Sequence, residues 1–163
     1  MDVFTEGNAT GFSYTILGEG GSDYIRSHVF RSALDTEGTM WQTAEPDRAF
    51  TPQNYTFADR GSETAGLLQV GVTPKRRAPF LLEGFIFLRP DDGDLVTMEG
   101  LLAKNPSFWT RHVEVVGHFE RIVGVRLPIA FESTAKIVVA GTSTFTMTYD
   151  YEMVNGQQTS RRN

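Results

Sequence analysis

Apolar and polar residues alternate most regularly near the C-terminal end of the chain, a pattern typical of a β-strand with one buried side. The apolar side of residues 142–154 consists of Phe145, Met147, Tyr149, Tyr151 and Met153. Threonines and acidic residues occupy the other side. The preceding segment has a matching apolar side, made of Val125, Leu127, Ile129 and Phe131. The two segments therefore predict paired antiparallel strands that share one apolar face.

The preceding strand is predicted over 125–139, and segments of the same kind predict further strands over 11–17, 67–73, 80–89, 95–103 and 112–122. Turn sequences separate them, and the strongest is Asp91-Asp-Gly-Asp94. One segment has a different period, because Ile25, Val29 and Ala33 recur every four residues after a favourable N-cap at Ser22. Residues 22–37 are therefore predicted to form a helix.

These elements predict a mainly β (α+β) fold. A helix of about 16 residues is only ~24 Å long and cannot cover six or more strands. A straight strand over 125–139 would span ~50 Å, so it must bend, either at Pro128 or at 133–135. We therefore expect a curved antiparallel sheet wrapped on one main helix, with some apolar concave surface left over. Residues 1–155 are expected to form this single domain, followed by a flexible polar tail over 156–163.

Composition narrows the classes of function. The chain has 163 residues, a net charge of −5, no cysteine and only 3 histidines, against 12 Phe, 5 Tyr and 2 Trp. The charge balance offers no basic excess for nucleic-acid binding. The absence of cysteine excludes thiol catalysis and cysteine-ligated zinc. No cofactor is predicted, and aromatic binding surfaces are favoured over catalysis.

The N-terminal residues lack the basic start and apolar run of a leader peptide. Residues 1–4 read as the interior of a strand, so we expect an N-terminal truncation. The sequence has no run of about 18 apolar residues, so no transmembrane segment is predicted.

Candidate catalytic and metal sites are weak. His112, Glu114, His118 and Glu120 fall on one side of a predicted strand, but the two histidines would lie ~20 Å apart, too far for one metal ion. A solvent-facing side of the strand is the favoured interpretation. The aspartates of residues 91–94 favour a hairpin turn over a calcium site. Residues 75–77, Lys-Arg-Arg, form a basic tip that suits an anionic lipid or a partner, or only solvent. No catalytic residue and no metal ligand is assigned.

The candidate ligand-binding residues are aromatic or aliphatic. Phe108 and Trp109 follow the break at Pro106, where they would either plug one open end of the sheet or gate a cavity. The residues predicted to line that cavity, or otherwise to pack as ordinary core, are Leu127, Ile129, Phe131, Phe145, Met147 and Tyr149.

Several motifs resemble those of a group of bacterial envelope proteins related to the periplasmic lipoprotein-carrier (LolA-like) half-barrel superfamily. They are Tyr24-Ile-Arg26, 54–57, Leu82-Glu-Gly84, 99–109, 125–128, 132–135 and the strand 145–155. The resemblance implies an incomplete barrel around a hydrophobic cavity. It also implies a location in the periplasm or at the outer membrane.

Three functions follow as hypotheses. The first is a non-enzymatic envelope protein that binds an apolar small molecule, a lipid, an acyl chain or a lipidated protein in the half-barrel. The second is a cofactor-free enzyme that uses the same cavity, with a residue such as His28, Glu99 or Tyr149 at its floor. The third is a structural or interaction module with a packed core, which docks an envelope protein partner through a sheet edge or the 75–77 tip.

Overall fold

A computed structural model describes residues 2–8, 11–18, 47, 49–105, 110–137 and 141–159. Contacts divide the chain into two compact units, Met1–Ala49 and Phe50–Asn163. The helix predicted over 22–37 lies outside the described residues, so a sheet wrapped on that helix remains a prediction.

The first unit contains an antiparallel hairpin. Strand β1 (Asp2–Asn8) pairs with β2 (Gly11–Gly18), and the register shifts once, between Asp2 and Val3. The strand predicted over 11–17 is confirmed. The interpretation of the first residues as strand also agrees with β1.

The second unit contains a seven-stranded antiparallel sheet in which each strand pairs with its neighbours along the chain. Its strands are β3 (Tyr55–Thr64), β4 (Leu67–Pro74), β5 (Leu82–Leu88), β6 (Leu95–Leu102), β7 (Thr110–Ile122), β8 (Val125–Ile137) and β9 (Gly141–Thr148). Within the described residues, β3 and β9 have one neighbour each, so this sheet is open. The predicted mainly β, antiparallel character is confirmed.

The predicted strand over 142–154 is interrupted. Strand β9 ends at Thr148, and β10 (Met153–Val154) pairs instead with β11 (Gln157–Gln158). The turn between them is Asn155-Gly156, with φ angles of 51° and 76°, which suit a two-residue hairpin. The first part of the segment predicted to be a polar tail therefore forms a hairpin, and the Thr159 amide donates to the Glu152 carbonyl at 3.1 Å.

One face of the seven-stranded sheet, called the core face here, holds the apolar core. Its buried residues on the strands are Tyr55, Val72, Leu82, Ile86, Leu95, Val113 and Val115. Cross-strand pairs such as Val72–Gly84 and Ile86–Met98 place them on the same side, because directly opposed residues share a face. The core is therefore concentrated on β3 to β7.

Strands β5 and β6 approach each other closely where Gly84 opposes Gly100. A Cβ atom on Gly84 would lie 2.1 Å from the carbonyl oxygen of Glu99, and one on Gly100 would lie 2.3 Å from that of Glu83. Because both contacts would be with backbone atoms, the close approach of the two strands requires glycine at each position.

The buried carboxylate of Asp94 links the turn between β5 and β6 to the turn between β7 and β8. The Asp94 side chain is 3% exposed and accepts from Arg121 Nε at 3.0 Å and Nη2 at 2.9 Å. Its own amide donates to Asp92, whose carboxylate also pairs with Arg89. The 91–94 segment is thus a hairpin turn, as predicted, and two of its carboxylates bind arginines.

In the described part of the chain, no helix has the length and apolar character needed to cross a membrane.

Candidate functional site

The predicted ligand-binding residues fall into three groups. Phe108 and Trp109 lie outside the described residues. Phe131, Phe145 and Met147 lie on the core face of β8 and β9, where Phe131 directly opposes Met147. Leu127, Ile129 and Tyr149 occupy less regular positions.

A β-bulge divides the predicted apolar side of β8. The register shifts opposite His118 and Phe119, where Ala130 and Pro128 are their partners and Ile129 is the additional residue. Leu127 consequently opposes Glu120, on the face opposite to Phe131. The prediction that Leu127 and Phe131 share one face is wrong, because the additional residue inverts the alternation. The bend expected at Pro128 coincides with this bulge.

The apolar patch is defined here as Phe119, Phe131, Phe145 and Met147, all half-buried. Phe119 and Phe131 also pack against the buried core, so the patch extends that core towards the open strand β9. Beyond it, Tyr149 and Tyr151 stack with ring centroids 6.3 Å apart, and the Tyr151 hydroxyl donates to the Pro128 carbonyl at 2.8 Å. The patch therefore offers apolar surface at the edge of the sheet.

A recess of about 310 Å³ lies where the β4–β5 loop approaches the end of β6 and the start of β7. This basic recess is lined by Arg77, Leu101, Leu102, Asn105, Arg111 and His112. Arg77 is positioned by a hydrogen bond from Nε to the Ala103 carbonyl at 3.2 Å. Among the described residues, no carboxylate forms an ion pair with Arg77 or Arg111.

His112 reaches this recess through a second bulge. Arg111 opposes Lys136 and Val113 opposes Ala135, so His112 is the additional residue, with a φ angle of 50°. The bulge removes His112 from the side of β7 that carries Glu114, contrary to the predicted shared side. In the described part of the chain, no group of three His, Asp or Glu residues could hold a metal ion.

A second depression, of about 370 Å³, adjoins the basic recess at Leu101, which is 41% exposed. This acidic depression is lined by Glu83, Gly84, Phe85, Glu99, Gly100, Leu101, Glu114, Val115 and Val116. Glu83 and Glu114 directly oppose Leu101 from the two neighbouring strands. Of the predicted ligand-binding residues that the structure describes, none lines either depression.

The remaining residues of the 75–77 tip stabilise the loop itself. Lys75 Nζ donates to the Pro52 carbonyl at 2.6 Å, and Arg76 donates to the side-chain oxygen of Asn54. Only Arg77 of this tip lines the basic recess. The sequence identified this tip and His112 separately, but Arg111 carried no local signal, because the recess depends on how two distant loops meet.

The arrangement suits binding of an anion that also has an apolar part. Guanidinium groups bind carboxylates and phosphates through paired hydrogen bonds, and Leu101 and Leu102 supply apolar surface beside them. The acidic depression next to Leu101 repels a negative group, so it confines the anion to the arginine side.

Comparison of the chain with models of protein families, with curated proteins and with solved structures gives no match.

Proposed function

We propose that this protein is a non-enzymatic envelope protein that binds an acyl chain, a lipid or a lipidated protein through an anionic group. The observation that carries the proposal is the basic recess, where Arg77 and Arg111 converge beside two leucines without a carboxylate partner among the described residues. Leu101 and Leu102 in the same recess support it as a surface for the hydrocarbon part. The envelope location rests on the resemblance in the sequence.

The anionic group and the hydrocarbon chain of the ligand contribute to the binding free energy in different ways. A hydrogen bond to a charged group contributes about 1.5–3 kcal/mol, so one arginine is worth roughly tenfold or more in affinity. Each methylene buried on apolar surface contributes about 0.8 kcal/mol. Two additional methylenes should therefore strengthen binding by roughly tenfold.

The test is a calorimetric titration of the protein with decanoate, dodecanoate and dodecanol at pH 8. We expect Arg111→Gln to weaken dodecanoate binding about tenfold and to leave dodecanol binding unchanged. Arg60→Gln is the matched control, because Arg60 is also exposed but belongs to β3. Leu101→Ser should reduce the gain from decanoate to dodecanoate without changing the preference for the acid, because Leu101 is an exposed apolar residue of the recess.

Mass spectrometry of gently purified protein provides an independent readout. We expect an acidic lipid or fatty acid to copurify. Equal affinity for dodecanoate and dodecanol, together with no lipid recovered, would contradict the proposal. An equal loss in Arg111→Gln and Arg60→Gln would assign the effect to overall charge and not to the recess.

A further inference from the structure

The two edges of the seven-stranded sheet differ in how they are protected. Strand β9 has the sequence Gly-Thr-Ser-Thr-Phe-Thr-Met-Thr, with no charged residue and no proline. Among the described residues it pairs only with β8. An uncharged edge strand of this length is a template for pairing with another strand.

The opposite edge carries the usual protection against such pairing. Strand β3 contains Asp59, Arg60 and Glu63, and its register against β4 is irregular between Asp59 and Glu63. Charges and bulges at an edge disfavour the addition of a further strand. The asymmetry indicates that only the β9 edge is suited to pairing.

The backbone of β9 shows which residues would take part. The Tyr149 amide donates inward to the Ile129 carbonyl at 3.1 Å. Alternate residues of an antiparallel strand direct their amide and carbonyl to opposite neighbours. The residues that face the open edge are therefore Thr142, Thr144, Thr146 and Thr148.

We propose that β9 pairs antiparallel with β9 of a second copy about a two-fold axis, joining the two sheets into one. A second copy fits because every register that joins the outward-directed residues places threonine opposite threonine, a favourable cross-strand pair. No like charges meet, since β9 has none. The same pairing brings Phe145 and Met147 beside their counterparts, so the two apolar patches become continuous.

This dimer is independent of the proposed ligand, because the basic recess takes no part in it. Hydrogen bonding along one strand buries less surface than a standard interface, which predicts a weak dimer. Sedimentation equilibrium of the full chain from about 1 µM to 1 mM should show a mass that rises towards twice that of the monomer.

The decisive variant is Thr144→Lys with Thr146→Lys, which places like charges opposite each other in the pairing. We expect the dissociation constant to rise at least tenfold. Thr56→Lys with Ala58→Lys is the matched control, because both residues are exposed and lie at alternate positions of β3, at the other edge of the sheet. It should leave the dimer unchanged.

Hydrogen exchange of the unmodified chain tests the same contact without a substitution. The amides of the four outward-directed threonines should exchange at least tenfold more slowly at 1 mM than at 1 µM, while the β3 amides do not change. A chain that stays monomeric at 1 mM overturns the proposal. A dimer that leaves these amides unprotected, or that survives the β9 lysines, overturns it equally. Loss of the preference for dodecanoate in Arg111→Gln, with the dimer intact, would concern the ligand alone.

Discussion

Tyr55 combines almost complete burial with a hydrogen bond that the fold needs. Its side chain is in the core, and its hydroxyl accepts from the Leu82 amide at 3.2 Å. Burial raises the pKa of Tyr55 above its usual value, although the Leu82 amide and Arg76 act in the opposite direction. The neutral phenol is therefore the form that the folded state favours.

Replacing Tyr55 by phenylalanine should destabilise the fold and change its pH dependence. The buried Leu82 amide loses its acceptor, which costs about 1–3 kcal/mol in the free energy of unfolding. Since the folded pKa is raised, the contribution of Tyr55 is fully present below about pH 10 and is lost as the pH rises through the folded value. Urea unfolding from pH 7 to pH 11 should show a difference between Tyr55→Phe and the unmodified chain that shrinks above pH 10.

Tyr151→Phe is the control for this measurement, because it removes a half-buried phenol that donates to a carbonyl outside the core. Identical pH profiles for the two variants would contradict the role assigned to Tyr55.

At the scale of strands, the close approach of β5 and β6 at Gly84 and Gly100 predicts that a larger residue at position 84 destabilises the sheet. Gly84→Ala places a methyl group against the backbone carbonyl of Glu99, which cannot move without breaking the strand pairing. We expect a loss of about 3 kcal/mol in the free energy of unfolding. Gly117→Ala is the matched control, because its methyl group would meet mainly the flexible end of Met98.

Urea unfolding of both variants provides the measurement. The Gly84 variant should unfold at clearly lower urea than the Gly117 variant. An equal loss of unfolding free energy in both variants would show that β5 and β6 can separate locally at Gly84 and Gly100.

Strand patterns predicted most of the sheet but not its irregular positions. The alternation over 67–73 and 95–103 was sufficient for β4 and β6, because regular pairing preserves the side on which each residue falls. The bulges at His112 and Ile129 reversed that side, and only Pro128 gave any warning of one of them. The hairpin at Asn155-Gly156 had a recognised turn sequence that the long alternating pattern obscured.

The candidate site was predicted only in its separate parts. The 75–77 tip and His112 are each recognisable in the sequence, but their proximity depends on the β4–β5 loop reaching the start of β7. Such long-range contacts leave no local pattern in the chain. The apolar patch was predicted more closely, since Phe131, Phe145 and Met147 lie on regular parts of β8 and β9.

For the whole molecule, the basic recess contrasts with a net charge of −5. An approaching anion is attracted by Arg77 and Arg111 at contact and repelled by acidic groups farther away. Salt screens charges beyond about 10 Å at 0.1 M but affects contacts at about 4 Å much less. The distant repulsion should therefore disappear first as salt is added.

This difference predicts an unusual dependence of ligand affinity on salt. Between 0.01 and 0.15 M NaCl, the loss of distant repulsion offsets part of the loss of attraction, so the affinity for dodecanoate should change by less than about threefold. At 0.15 M the two contacts of the anion with Arg77 and Arg111 remain, each contributing about 1 kcal/mol in water. At 1 M most of that energy is screened, so the affinity should be roughly tenfold weaker. Dodecanol, titrated in parallel by calorimetry, should not weaken. A steep decline already below 0.1 M would mean that more cations contact the anion than the recess supplies, and a constant affinity up to 1 M would place the head group outside it.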